Sequence, residues 1–275
     1  AVVSSAARLA LSSAGCNYLK SRDQLNRGVE AYKNAKYSEA VDHFKQAIQL
    51  DPKNPNARVY LATAYMNQYI PGAQSPENTR NLEAARNEFE QVLKDNPKEK
   101  LAVQSLASLS LNESAGITDW DQRLKKLDEA KQWNEKVLEI DPANKEAYYT
   151  LGVIAWTRWK RDYDAVRTKL GMKMEDPGPF KDKKAREELS ARDGALIEEG
   201  IKDLQKALDI DPQYDEAMAY MNLFIRERAD LRDNAEAYKQ DIASADSWMN
   251  KAMETRKIKA AKAAPTAGGI TPDKK

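Results

Sequence analysis

Residues 21–54 read SRDQLNRGVEAYKNAKYSEAVDHFKQAIQLDPKN. Apolar residues recur at helical spacing on both sides of Tyr37, so the stretch predicts two helices joined by a short turn. Gly28, Ala40 and Ala47 are small where the two antiparallel helices face each other, and Phe44 stands among them. Helices cross closely only where facing side chains are small, and a ring then fills the space beside the contact. Pro52 closes the second helix, because proline disfavours the helical conformation in the residue before it. The stretch predicts a helical hairpin that buries one stripe and wets the other.

Working outward, the closing signal recurs as Leu50-Asp51-Pro52, Asp95-Asn96-Pro97, Ile140-Asp141-Pro142 and Ile210-Asp211-Pro212, with prolines 45, 45 and 70 residues apart. Each follows an apolar helical pattern: Phe44-Ala47-Ile48, Phe89-Val92-Leu93, Trp133-Val137-Leu138 and Leu204-Ala207-Leu208. Spacing and residue size together make residues 21–54 resemble a tetratricopeptide repeat (TPR), with Gly28, Tyr32, Tyr37, Ala40, Phe44, Ala47 and Pro52 at the positions of a 34-residue unit. Later units keep the pattern through Leu61, Ala62, Ala85 and Phe89, through Leu106, Ala107, Ala130 and Val137, and through Leu151, Gly152, Gly200 and Leu204. Asn134 stands where an aromatic is usual, with Trp133 beside it. A fifth pair, around Met218, Met221 and Ile225 and then Ala245, Met249 and Ala252, ends without proline.

The resemblance implies an all-α superhelical solenoid of about five helix pairs. The second, third and fifth units each hold about 11 residues beyond the template, expected as extended hairpins. The fourth holds about 36 more, an insertion placed at about 159–190. The domain organisation expected is therefore a leader over 1–20, the solenoid over 21–255, and a basic, disordered tail over 256–275.

Composition narrows the function. The chain has 275 residues, 41% hydrophobic and 32% charged, with a net charge of +1. Nothing in this balance draws nucleic acid to the body of the molecule, and the basic tail lacks interleaved aromatics to stack on bases. One cysteine, Cys16, and one histidine, His43, exclude internal disulfides, zinc clusters and nearly all histidine-based catalysis. No phosphate-binding or dinucleotide-binding glycine run occurs. The expectation is a non-enzyme without cofactor or metal. The one catalytic alternative is a carboxylate site in or beside the insertion.

Small residues lead up to Cys16 in Leu11-Ser12-Ser13-Ala14-Gly15-Cys16, a run that resembles a bacterial lipoprotein processing site. That resemblance implies acylation of Cys16 and anchorage on the periplasmic side of a bacterial membrane. The alternative reading is an incidental thiol on a cytoplasmic adaptor. No apolar run of about 18 residues is present to cross a membrane.

In the TPR family the first helix of each pair lines a groove. Carrying those positions over gives Leu25, Val29 and Tyr32, then Val59, Thr63 and Met66, then Gln104 and Ser108, then Tyr149, Val153 and Trp156, then Ala219 and Leu223. Leu25 and Val29 stand where some chaperone-binding members have Lys and Asn, so an apolar or helical segment of another protein is the ligand expected. Trp159, Tyr163 and Phe180 in the insertion form a second candidate surface. The function implied is a protein-interaction scaffold that assists assembly or stability of an envelope complex. A permanent accessory subunit of a membrane-embedded complex is the other form of that role.

Overall fold

The computed structural model describes residues 3–173 and 176–263. These residues form ten helices and no strand, in two compact units, Ala1–Ile140 and Asp141–Lys275. Unit 1 holds α1 (Val3–Lys33), α2 (Tyr37–Leu50), α3 (Pro55–Met66), α4 (Pro76–Asp95), α5 (Lys100–Ala115) and α6 (Trp120–Ile140). Consecutive helices pair as α1/α2, α3/α4 and α5/α6, and the hairpins stack through α2 on α3 and α4 on α5. Unit 2 holds α7 (Lys145–Lys169), α8 (Lys183–Ile210), α9 (Asp215–Ala229) and α10 (Ala235–Ala263), paired α7/α8 and α9/α10 with α8 stacked on α9.

The Asp-Pro signal both ends one helix and starts the next. Asp51 N donates back to Ala47 O at 2.9 Å, while the Asn54 side chain accepts from Asn56 N and Ala57 N and Pro55 opens α3. Asn144 caps α7 in the same way, accepting from Ala147 N at 2.9 Å. Inside the first hairpin, a Cβ on Gly28 would lie 2.5 Å from the Phe44 ring, so only glycine admits that ring. Gly152 makes the equivalent notch for Leu204, at 2.7 Å.

The surplus over the repeat template is helical. Where α2 has 14 residues, α4 has 20, α6 has 21 and α8 has 28. Residues 159–190 are accordingly no separate appendage, and three expected surface residues prove to be core: Trp159 is 0%, Tyr163 6% and Phe180 0% exposed. Trp159 and Tyr163 lie one turn apart on α7 and face α9, while Phe180 folds under the connection to α8 and stacks on Tyr163 at 5.6 Å.

Two helices run across the expected boundaries. α1 runs unbroken from Val3 through residue 20 into the first repeat, in keeping with its alanine-rich start. α10 continues past 255 to Ala263, held by Arg256 and Lys259 on Asp215 of α9, whose carboxyl is lowered to about 2 by those cations although burial opposes it. The remainder of the expected tail, 264–275, lies outside the described residues.

Candidate protein-binding surfaces

The first helices of the three hairpins in unit 1 enclose an apolar cavity of about 330 Å³. Val29 and Tyr32 come from α1, Tyr60 and Thr63 from α3, and Leu101 from α5, with the edge of Phe44 as floor. Lys33 is the only charged residue lining it. Tyr32 is fixed at its mouth: its hydroxyl accepts from Asn67 Nδ2 at 2.8 Å, and its ring meets Tyr37 edge-on at 5.3 Å. Tyr60 packs on Phe44 with ring centroids 5.8 Å apart. Leu101 is 42% exposed, an apolar side chain left at the rim.

Other expected groove residues fall elsewhere. Leu25 lines a neighbouring, more polar depression of about 500 Å³ with Arg22, Asn26, Lys53 and Asn56. Val59 is not a groove residue: it is 7% exposed and packs with Phe89 and Leu106. Tyr60, one residue on, faces the cavity instead. Met66 is half-buried against the same core as Val59.

In unit 2, Tyr149 and Trp156 of α7 are half-buried and joined through Tyr220 of α9, at 5.7 and 5.4 Å, into an edge-to-face aromatic ladder. Tyr214 extends it at 5.1 Å from Tyr149. Burial pushes the Tyr149 hydroxyl up to about 12 and raises those of Tyr214 and Tyr220. Val153 lies half-buried between Tyr149 and Trp156 on α7. Tyr220 of α9 and Tyr214 just before that helix escaped the sequence reading, which selected Ala219 and Leu223. For Tyr220 the signal was present as an aromatic one residue from a groove position, the same offset that hid Tyr60.

The carboxylates beside the insertion are paired with buried donors. Glu227, 7% exposed, accepts from Trp159 Nε1 at 2.7 Å, and burial lifts its carboxyl to about 7 against the pull of Lys160 at 3.8 Å. Asp230 accepts from the Tyr163 hydroxyl at 2.7 Å and from Arg167 at 2.9 Å, and burial raises its carboxyl too. Arg167 also donates to the carbonyls of Lys173 and Asp176, fastening the α7–α8 connection. The cavity of about 690 Å³ in that connection is lined by residues such as Met172, Pro179 and Arg186 and reaches neither carboxylate. Elsewhere His43 Nδ1 lies 2.7 Å from Gln24 Oε1, a helix-to-helix contact. Cys16 is exposed. Among the described residues no helix is long and apolar enough to cross a membrane.

Stacked two-helix hairpins with a small residue in one helix notched against a large one in the next define a helical-repeat protein. Two stretches match models of one such repeat: residues 28–68 match a model described as TPR repeat, and residues 122–144 one described as tetratricopeptide repeat. Over these two stretches the chain carries tetratricopeptide repeats, and its fold is the stacked helical-hairpin fold of such repeats. Among solved structures it is similar to a MamA RS-1 ArsTM double mutant, at 18% identity over 88% of this chain and 97% of that one, with a TM-score of 0.51. It is also similar to a MamA protein at 13% identity over 88% and 94%, TM-score 0.51, and to MamA 41-end from Desulfovibrio magneticus RS-1 at 18% identity over 87% and 96%, TM-score 0.50. These likenesses concern the fold. Comparison with curated proteins returns no match.

Proposed function

We propose that this chain is a non-catalytic scaffold that seats an apolar or helical segment of another protein in the unit 1 cavity and so assists assembly or stability of a bacterial envelope complex. The observation that carries the reading is the cavity between α1, α3 and α5, walled by Val29, Tyr32, Tyr60 and Leu101 and floored by Phe44. A space of this size and chemistry accepts one or two apolar anchors, while Lys33 at its edge favours an adjoining carboxylate on the ligand. The unit 2 ladder of Tyr149, Trp156 and Tyr220 offers the same partner a second apolar strip. The proposed anchorage rests on the resemblance of the run before Cys16 to a lipoprotein processing site, and the exposure of that thiol is compatible with acylation.

The test is site-specific photo-crosslinking from position 63, on the cavity wall, in native cells, carried out in the parent chain and in Tyr60→Ala and Leu101→Glu backgrounds, with Cys16→Ala alongside. Capture of a defined membrane protein, lost in both cavity variants, supports the scaffold. A fixed stoichiometry through purification marks a permanent accessory subunit. Unchanged capture in both cavity variants rejects the cavity as the docking site, and a Cys16→Ala protein that fractionates as before rejects the anchor in favour of a cytoplasmic adaptor.

A further inference from the structure

Three second helices are followed by a first helix in the same unit: α2, α4 and α8, each packed on the helix before and the helix after. Their central large side chains, Phe44, Phe89 and Leu204, are 1%, 0% and 0% exposed. α10 repeats the same spacing with Ala245, Met249 and Ala252, yet among the helices of unit 2 it packs on α9 alone. Met249 is 37% and Met253 48% exposed.

The local cause lies in α9. Asn222 occupies the place of Gly28 and Gly152, and its Nδ2 donates to Ala245 O at 2.7 Å. That side chain fills the notch which would otherwise take in Met249. Two turns before Met249 on the same face is the half-buried Ile242, and two turns after Met253 is the exposed Ala260. The outer stripe therefore runs Ile242, Met249, Met253 and Ala260, with Asp246 on its amino-terminal side and Lys257 on its carboxy-terminal side.

We propose that a second copy of this chain covers this face, with α10 antiparallel to α10 of the second copy about a two-fold axis near Lys251. Met249 then meets Met253 of the second copy, and Asp246 meets Lys257 of the second copy, each pair occurring twice. The helix is complementary to itself only when reversed, which is the condition for a closed two-fold contact. Within its own copy Asp246 reaches Arg226 at 2.5 Å, yet its side chain remains 58% exposed and open to a second cation.

At the opposite end of the repeats, Asp23, Asn26, Arg27 and Glu30 of α1 are polar. The α3 residues that pack toward α2 include Ala57, Tyr60, Leu61 and Ala64, and one repeat earlier α1 has Asp23, Asn26, Arg27 and Glu30. Charge there disfavours head-to-tail stacking, so self-association stops at the pair. The contact is independent of the unit 1 cavity.

The experiment is sedimentation velocity of the full chain over a concentration series, with circular dichroism as the check on folding. A reversible dimer is expected. Met249→Lys with Met253→Lys should give a monomer of unchanged helicity, and Asp246→Lys alone should weaken association by about tenfold through like charges meeting. Combining Asp246→Lys with Lys257→Asp should restore it, a rescue that a merely damaged helix does not show. A chain monomeric at every concentration overturns the proposal, and so does a dimer indifferent to the methionine variants or a charge swap that fails to rescue. If the monomer's Met249 and Met253 resist oxidative labelling, another segment covers the face and the dimer is rejected. Tyr60→Ala and Leu101→Glu should leave the dimer intact.

Discussion

Gly28 and Phe44 are matched in size, and the match has no slack. Gly28→Val should cost about 1–3 kcal/mol in denaturant unfolding, because a Cβ already meets the ring at 2.5 Å. Glu227 gives a pH signature of opposite sign to that of a salt-bridged acid. Its carboxyl is lifted by burial from 4.5 to about 7, so in that window the folded state holds a proton that the unfolded chain has released. Stability of unit 2 should therefore fall as pH rises from about 4.5 to about 7, and Glu227→Gln should flatten the decline in Tm. Trp159→Phe should destabilise by about 1–3 kcal/mol where Glu227 is charged, because it removes the hydrogen bond at 2.7 Å and leaves a buried acceptor unmatched. At this scale the sequence exposed the notch but not the acid: Gly28 and Phe44 are neighbours by repeat spacing, whereas Trp159 and Glu227 are brought together only by tertiary packing.

Helices are tied to one another by ions as well as by apolar contact. Arg86 of α4 bonds Glu113 of α5 and Glu129 of α6, Lys126 approaches both acids at 3.3 and 2.9 Å, and Ser110 donates to Glu129 at 3.0 Å. Arg86→Met should leave two partly buried carboxylates sharing one lysine, at a cost of about 2 kcal/mol to unit 1, read from chemical denaturation. The number and order of helices were legible because proline and asparagine punctuate them locally. Their lengths were less so: α7 and α8 lack a strong stop where the template would end, and their extra turns are stabilised by side chains distant in sequence. Trp159, Tyr163 and Arg167 recur every four residues, the mark of a helical face, and that period was the available sign that these rings turn inward.

Within each unit of the whole molecule, contacts link near neighbours in the repeat order, so a local defect should stay local. Hydrogen exchange on Gly28→Val should show faster opening in α1 to α3 and unchanged protection in α9 and α10; uniform loss across all the described helices would contradict this nearest-neighbour picture. The candidate surfaces were half legible for the same reason. Family positions include Val29, Tyr32, Tyr149 and Trp156, which line these surfaces, but whether position 59 or position 60 faces outward depends on the rotation of α3 against α2 and α4, which no single repeat specifies. The Asp-Pro-x-Asn turns carry a consequence for ancestry. At residues 51–54 one helix is closed by Asp51 bonding back to Ala47 and the next is opened by Asn54, so a break between them severs no helical hydrogen bond. A segment copied from one such turn to the next brings its own start and stop. Duplication can then lengthen or shorten the array by whole cassettes, leaving no frayed end at the seam.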